Sequence, residues 1–133
     1  MREFDAIVLT PAETAFRGKA TMLVARAVDG EIAVMAGHTP LVTALAPGLL
    51  RIRTGTEMRF ATTGGLLRVY SDRVVVAVEA AERPEDIDLA RAEAARERAL
   101  KRLDEPGRGH VTAEAALSRS LVRIAAARRA RQT

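Results

Sequence analysis

The sequence contains no cysteine and no tryptophan, and its aromatic residues are three phenylalanines and one tyrosine. The absence of cysteine excludes disulfide bonds and thiolate metal sites, and it is typical of proteins in a reducing compartment. The shortage of aromatic rings leaves few side chains on which unpaired bases could stack. These two absences favour a protein that folds without covalent crosslinks and argue against a binder of single-stranded nucleic acid.

Long apolar runs are also missing. No segment approaches the roughly 20 consecutive apolar residues of a membrane span. The first residues, MREFDAIVL, carry an acid and lack an apolar stretch long enough for a signal peptide. We therefore expect no direct membrane insertion, although docking on a membrane complex stays open. At 133 residues the chain is long enough for one domain, or for one domain with a small appendage.

The residues of common catalytic sites are sparse. His38 and His110 are the two histidines, and neither has a nearby Ser, Asp or Glu at a spacing that suggests a nucleophile or a metal site. No glycine-rich loop ends in Lys-Ser or Lys-Thr, as a phosphate-binding loop of a nucleotide hydrolase would. The sequence predicts no catalytic residues, no metal site, no required cofactor and no enzymatic activity.

Short apolar runs separated by turn residues occupy the first 82 residues. Several of these runs alternate apolar and polar residues, as strands with one buried face do. This spacing predicts an antiparallel β-sandwich or barrel-like domain. The expected strands cover residues 4–9, pieces of 15–28 broken at Gly18, and residues 32–35, 41–45, 49–53, 57–60, 67–69 and 74–78.

The composition changes at Arg83 and Pro84, after which no glycine occurs until Gly107. The pattern predicts a helical hairpin over residues 83–133, with Asp86 capping the first helix, residues 105–109 forming the turn, and Thr112 capping the second helix. The residues expected on the inner faces are Leu89, Ala92, Ala99, Leu103, Leu117, Leu121 and Ile124. Because alanine buries little apolar area, this arm should be able to open when a partner offers a better surface.

The formal net charge of +4 is concentrated near the C-terminus. Residues 1–81 are nearly neutral, and residues 82–105 carry a small acidic excess. From Thr112 onward the only acid is Glu114, opposed by Arg119, Arg123, Arg128, Arg129 and Arg131. The basic character therefore belongs to the second helix and to whatever it contacts.

Several short motifs follow one another along the chain: GEI at residues 30–32, GHTPL at 37–41, PG at 47–48, RI at 51–52, TGG at 63–65 and IDLARA at 87–92. In this order and at this spacing they resemble the epsilon subunit of the F-type ATP synthase. Together they span almost the whole chain. Within the second motif, Gly37 suits a backbone site with positive φ, and Pro40 fixes its own φ.

The resemblance implies an N-terminal antiparallel β-sandwich of about ten short strands (1–82) followed by a C-terminal two-helix antiparallel hairpin (83–133). It also implies a non-catalytic rotor subunit in the central stalk of a proton-translocating complex, peripheral on the cytoplasmic face of a bacterial plasma membrane. The sandwich would join the gamma subunit to the membrane rotor ring of c subunits. The arm, when extended, would meet the alpha and beta subunits and restrain ATP hydrolysis. The resemblance further implies that Glu31, Gly37, His38 and Pro40 lie at the interface with the rotor ring and stalk. From the residues alone, Glu31 and His38 are also consistent with solvated turn residues.

A cluster of arginines forms the second candidate site. Asp88, Arg91 and Arg98 are spaced by three and seven, which places them on one helix face, and Arg119 and Arg123 are four apart. If the hairpin closes, four guanidinium groups meet beside one carboxylate, and guanidinium matches phosphate oxygens in bidentate geometry. The resemblance implies ATP as a regulatory ligand, with contacts from Glu82, Ile87, Asp88, Arg91, Ala92, Arg98, Arg119 and Arg123. The alternative is a set of surface salt bridges.

Two further functions compete with the stalk subunit. One is a small basic nucleic-acid-binding module with a helical arm, which the shortage of aromatic residues disfavours. The other is a free-standing nucleotide sensor, which would leave the motif at residues 37–41 unexplained.

Overall fold

The computed structural model describes residues 2–104 and 110–131, with the backbone alone for residues 110 and 129–131. The chain divides into two compact units, Met1–Glu82 and Arg83–Thr133. Among the described residues, no helix combines the length and the apolar character that crossing a membrane requires. The same residues contain no group of three or more histidine or acidic side chains placed to hold a metal ion.

Unit 1 consists of ten short strands, which confirms the predicted strand-rich sandwich. Alternating burial runs along most of the strands, with one face inside and the other outside. The strands are β1 (Phe4–Leu9), β2 (Thr14–Ala20), β3 (Met22–Ala27), β4 (Gly30–Val34), β5 (Leu41–Leu45), β6 (Gly48–Arg53), β7 (Glu57–Thr62), β8 (Gly65–Val69), β9 (Arg73–Val78) and β10 (Ala81–Glu82).

The strands are hydrogen-bonded in the order β10-β7-β6-β3-β5-β8-β9-β1-β2, with β4 on β3. β3 is the corner of this path, because its first residues pair with β6 while Ala27 at its end pairs with Leu45 of β5. The pairs are antiparallel except β1 with β9, which is parallel. The predicted antiparallel sandwich is confirmed, and this one parallel pair was not predicted.

The core of unit 1 is formed by the inward residues of nine strands. Its largest fully buried side chains are Val8, Leu23, Val34, Leu50, Ile52, Leu67 and Val76. Burial of a side chain of this kind contributes roughly 1.5–3 kcal/mol relative to leaving it exposed. This core holds in place the turns at both ends of the strands.

The predicted break at Gly18 was wrong, because β2 runs through this residue to Ala20. The chain breaks instead at Thr21, whose N–H donates to the carbonyl oxygen of Arg53 at 2.9 Å. Gly18 pairs with Ala6 in a regular register. A glycine in a strand is thus compatible with continued pairing when its φ is ordinary.

Unit 2 begins with a 3₁₀ turn, Pro84–Asp86, followed by α1 (Leu89–Asp104) and α2 (His110–Arg131). The cap of α1 is Asp88, because its Oδ1 accepts the N–H of Arg91 at 3.1 Å. Asp86 was the wrong choice of cap, since it lies in the 3₁₀ turn and its N–H donates to Arg83. Thr112 was also wrong, because α2 starts two residues earlier. The predicted turn at 105–109 lies outside the described residues.

The two helices pack through small side chains. Ala92 and Ala99 are the buried residues of α1, and the predicted inner residues Leu89 and Leu103 are half-buried. On α2 the buried residues are Ala113, Ser120, Ile124, Ala126 and Ala127. Of the predicted α2 stripe, Ile124 is buried, Leu117 is half-buried and Leu121 is 47% exposed, so Leu121 was wrongly assigned to the inner face.

Candidate functional site

The loop after β4 has a defined backbone geometry. The N–H of His38 donates to the carbonyl oxygen of Met35 at 3.1 Å, which closes a four-residue turn. Gly37 lies inside this turn with φ +86°, so the predicted positive φ is confirmed. His38 Nδ1 donates to the carbonyl oxygen of Thr39 at 2.7 Å, and Pro40 is exposed. One backbone hydrogen bond and one from the His38 ring therefore hold the loop, while Thr39 and Pro40 are exposed.

Glu31 lies within β4, opposite Arg26 of β3, and not in the turn. Its carboxylate accepts a hydrogen bond from Arg51 at 3.4 Å, and its side chain is 70% exposed. Glu31 and the loop of residues 37–40 thus stand at opposite ends of β4. Among the described strands β4 pairs with β3 alone, which leaves its other edge free.

The outward face of β4 connects these two groups. Glu31 and Ala33 alternate with inward-pointing neighbours, and Met35 continues the alternation beyond the strand. Met35 is 50% exposed. Met35 was not among the predicted site residues, although it stands between an alternating strand and a turn.

The four arginines of the second candidate site lie one residue before an inward position of their helix. On α1, Arg91 and Arg98 precede the buried Ala92 and Ala99, and both arginines are exposed. A single residue rotates the side-chain direction by about 100°. The guanidinium groups of α1 therefore point to one side of the helix interface.

The same relation holds on α2, where Arg119 precedes Ser120 and Arg123 precedes Ile124. Arg119 is exposed and Arg123 is half-buried. Ser120 has its hydroxyl satisfied, because Oγ donates to the carbonyl oxygen of Ala116 at 2.9 Å. Its small volume lets the helices approach closely at this level.

One ion pair between α1 and α2 shows which side of α1 lies next to which side of α2. Glu93 and Arg128 each follow an inward alanine, and their side chains meet at 3.2 Å. The residues after inward positions therefore share one long edge of the antiparallel hairpin. By helical rotation the residues before inward positions, which include all four arginines, share the opposite edge. We call this opposite edge the arginine edge: Arg91, Arg98, Arg119 and Arg123.

The other residues of the second candidate site have mixed positions. Asp88 is exposed and caps α1, with Oδ1 occupied by the Arg91 N–H. Ile87 and Ala92 are buried. Glu82 lies in β10, where it pairs with Ala61 of β7. Within the second candidate site, the four arginines thus lie on the arginine edge and Asp88 at the N-terminal cap of α1, while Ile87 and Ala92 act in packing.

The long edge of the hairpin that faces away from the arginine edge has an open groove, which the sequence did not indicate. The groove has a volume of about 680 Å³, an apolar lining of Ile124 and Leu121, and a charged lining of Glu93, Arg96, Glu97 and Arg128. Two ion pairs, Glu93 with Arg128 and Glu97 with Arg96, leave this edge close to neutral. The four arginines of the second candidate site lie on the other long edge, at whose N-terminal end Asp88 caps α1.

Comparison with known proteins agrees with this architecture. Residues 3–84 match the family described as "ATP synthase, Delta/Epsilon chain, beta-sandwich domain", and residues 85–128 match "ATP synthase, Delta/Epsilon chain, long alpha-helix domain". The chain is 45% identical over 127 residues to the ATP synthase epsilon chain of Caldicellulosiruptor saccharolyticus, covering 93% of each chain. It is 41% identical to the epsilon chain of Shouchella clausii, covering 93% of this chain and 94% of that one.

Solved structures show the same fold at lower identity. A chain in the Euglena gracilis mitochondrial ATP synthase matches with a TM-score of 0.80 at 24% identity, covering 98% of this chain and 82% of that chain. A chain in the Tetrahymena thermophila mitochondrial ATP synthase central stalk and c-ring matches with a TM-score of 0.65 at 16% identity, covering 95% and 97%. The resemblance carried by the sequence motifs is confirmed, and the chain belongs to the ATP synthase epsilon-chain family.

Proposed function

We propose that the chain is a non-catalytic rotor subunit in the central stalk of a proton-translocating F-type ATP synthase. Family membership over both units carries this proposal. Two solved relatives of the fold come from assemblies that contain a c-ring, and one of these is described as a central stalk. The chain would be peripheral on the cytoplasmic face of a bacterial plasma membrane and would couple rotation through docking, without bond chemistry of its own.

Unit 1 would join the gamma subunit to the rotor ring of c subunits. The outward face of β4 and the loop that follows it are suited to the ring contact, because Glu31 and His38 offer polar groups on either side of Met35. The turn around Gly37 is closed by the backbone hydrogen bond from His38 to Met35. A preformed loop loses little conformational entropy on docking, which favours the contact.

Unit 2 would be the regulatory arm. Its helices meet mainly through alanine and serine, so closing the hairpin buries little apolar area. Four positive charges on the arginine edge repel one another and favour opening. The extended helices would then reach the alpha and beta subunits and restrain ATP hydrolysis.

ATP would reverse this balance by binding to the arginine edge. Guanidinium groups donate paired N–H groups that match phosphate oxygens, and a polyphosphate would neutralise the repulsion between the two helices. A ligand that binds the closed hairpin and not the open one shifts the equilibrium toward closure. Under this proposal ATP is a regulatory ligand and not a required cofactor.

The test is a calorimetric titration of the full chain with ATP. Each hydrogen bond to a charged group contributes about 1.5–3 kcal/mol, so Arg119→Ala and Arg123→Ala should each weaken ATP binding by about tenfold or more. Arg128→Ala is the matched control, since it removes an arginine of α2 from the opposite edge. Its affinity for ATP should stay within about threefold of the unmodified chain, less than 1 kcal/mol.

Two outcomes of this titration would reject the ATP site. No heat at millimolar ATP would remove ATP as a ligand and leave the arm under the control of protein partners. Equal loss of affinity in all three variants would indicate that bulk charge, and not the arginine edge, attracts the nucleotide.

The nucleic-acid alternative would be favoured by steeply salt-dependent affinity for unrelated duplex DNA.

A further inference from the structure

Ala126 of α2 is buried on a side of the helix that does not face α1. It is 5% exposed, and it follows Arg119 and Arg123 at spacings of seven and three. Residues at these spacings share one stripe of a helix, so Ala126 lies on the arginine edge. The inward line of α2 is formed instead by Ala113, Ser120, Ile124 and Ala127. Packing against α1 alone therefore does not account for the burial of Ala126.

The 3₁₀ turn at the start of unit 2 is placed to cover Ala126. Among the described elements, α1 and this turn are the two that contact α2 extensively. Pro84 in the turn is buried, and Ile87, which follows the turn, is 5% exposed. Glu85 and Asp86 between them are exposed. The turn thus has an apolar side, formed by Pro84 and Ile87, and a charged side that faces water.

The turn is anchored to α1 and closed by its own backbone. Asp88 caps α1, so Ile87 and Ala92 occupy the two positions of a hydrophobic staple, one before the cap and one in the helix. Both residues are buried. The N–H of Ile87 donates to the carbonyl oxygen of Pro84 at 3.2 Å. The apolar side of the turn is therefore held in place by α1 and presented to α2.

We propose that Pro84 and Ile87 form an apolar latch that holds α2 closed on α1 by covering Ala126. The direct interface between the two helices consists mainly of small side chains. Burying isoleucine removes much more apolar area from water than burying alanine does, so the latch supplies stabilisation that the helices themselves lack. Release of the latch is then the step that frees α2.

The regulatory meaning of the latch rests on the proposed function of unit 2 as an arm that opens to restrain ATP hydrolysis. Because Ala126 shares its stripe of α2 with Arg119 and Arg123, the latch and a nucleotide on the arginine edge would hold the same side of this helix. The latch would act without any nucleotide, and a nucleotide would add to it. Weakening the latch should therefore strengthen the restraint of hydrolysis.

The test is amide hydrogen exchange of the full chain without nucleotide, so that loss of a nucleotide contact cannot produce the effect. Ile87→Ala removes most of the latch, and helices that separate in water are marginal, so exchange in α2 should become at least about tenfold faster. Ala126→Gln puts a polar amide beneath the latch and should act in the same direction. Ala125→Gln is the matched control, because Ala125 is the exposed neighbour; its exchange should stay within about threefold.

Exchange in the strands of unit 1 checks the fold of each variant and should not change. If Ile87→Ala does not fold, Ile87→Val, which removes one methyl group, takes its place with a smaller effect in the same direction. Unchanged exchange of α2 in a folded Ile87 variant would overturn the proposal.

The double variant Ile87→Ala with Ala126→Gln tests whether the two residues make one contact. If the latch covers Ala126, both substitutions break the same contact, so the double variant should exchange little faster than the faster single variant. Effects that multiply would overturn the proposal, because they would mean that something other than the latch covers Ala126.

ATP hydrolysis by the reconstituted complex separates the latch from the proposed function. At equal ATP concentration, Ile87→Ala should restrain hydrolysis about twofold or more strongly than the unmodified chain, because more of the arm is open. A chain that is merely damaged would restrain hydrolysis less. If exchange in α2 becomes faster as expected but neither chain restrains hydrolysis, the latch stands and the regulatory role of unit 2 is rejected.

Discussion

At the scale of single residues, Gly65 is the described glycine of unit 1 where an added methyl group would come closest to other backbone atoms. This glycine opens β8 between Leu45 of β5 and Val78 of β9. A methyl group here would overlap the carbonyl oxygen of Ala77 and come within 2.9 Å of the Cα of Val78. Because the obstruction is paired backbone, it cannot rotate away. We expect Gly65→Ala to lower the free energy of unfolding by about 1–3 kcal/mol in urea titrations.

Gly18→Ala is the control for this prediction. A methyl group at Gly18 would meet the ring of Phe16 at 3.3 Å, and that ring is half-buried and can shift. The free energy of unfolding should change by no more than about 0.5 kcal/mol, because the half-buried Gly18 has only a movable side chain in the way. Similar destabilisation by both substitutions would mean that β-sheet glycines in general, and not the contact with Ala77, set the cost.

Individual residues were predictable from the sequence where the cause is local. The positive φ of Gly37 follows from its turn with His38 and Pro40, and the structure agrees. The requirement for glycine at position 65 depends on β9, which sequence spacing does not reveal. The prediction of Asp86 as the helix cap failed because two acids stand near the start of α1: Asp86 lies in the 3₁₀ turn, and Asp88 is the cap.

At the scale of elements, the arm depends on the small size of the residues between its helices. Ala99 is 2% exposed, so a larger side chain has no space on the inward line of α1. Ala99→Leu should push the helices apart, and the overpacking should cost the closed hairpin about 1–3 kcal/mol. The measurement is amide hydrogen exchange, in which protection of both helices should fall while protection of the unit 1 strands is unchanged.

Ala90→Leu separates this effect from a general effect of leucine. Ala90 is exposed in the first turn of α1, and leucine has nearly the helix propensity of alanine. Exchange protection should therefore stay as it is in the unmodified chain. If Ala99→Leu also leaves protection unchanged, the helices are not held together by close approach at this position, and the weak-interface account of the arm is wrong.

Strands were easier to predict than helix faces, for a physical reason. Turn residues and alternation mark each strand locally, and β1 and β5 begin and end at the expected residues. On α2, apolar residues occur all round the helix, so periodicity does not select one face. The prediction placed the large Leu121 inside, whereas the buried line runs through Ala113, Ser120 and Ile124. Close packing against α1 selects small residues there, and that preference is invisible without the partner helix.

At the scale of the whole molecule, the pattern of spacing predicted part of the candidate sites. The spacings of Arg91 with Arg98 and of Arg119 with Arg123 predicted a shared face on each helix, and the pair of Glu93 with Arg128 places both faces on one edge of the hairpin. The alignment of the exposed Leu9 and Leu66 beside Ala77 was not predictable, because these residues come from strands that are distant in the sequence. The parallel pairing of β1 with β9 brings Leu9 beside Ala77, and this pairing depends on the order of strands in the sheet and not on the local sequence.

The regulatory role of unit 2 predicts that a hairpin locked shut cannot restrain ATP hydrolysis. The chain has no cysteine, so Glu93→Cys with Arg128→Cys introduces the only two thiols. Their side chains face each other across the helices, since the native pair meets at 3.2 Å. A short bis-maleimide reagent applied to the isolated chain should link α1 to α2. After reconstitution with the other subunits, the linked chain should permit ATP hydrolysis several-fold faster than the unlinked double variant, because the helices cannot extend.

The single variant Glu93→Cys, treated with the same reagent, separates closure from modification. It carries the reagent at the same position but leaves the two helices free, so it should restrain hydrolysis as the unmodified chain does. Binding of each chain to the complex is measured first, because a chain that fails to assemble also fails to restrain hydrolysis. If the linked chain assembles and restrains hydrolysis fully, the arm acts without opening. The low apolar burial between α1 and α2 would then serve another purpose than release of the helices.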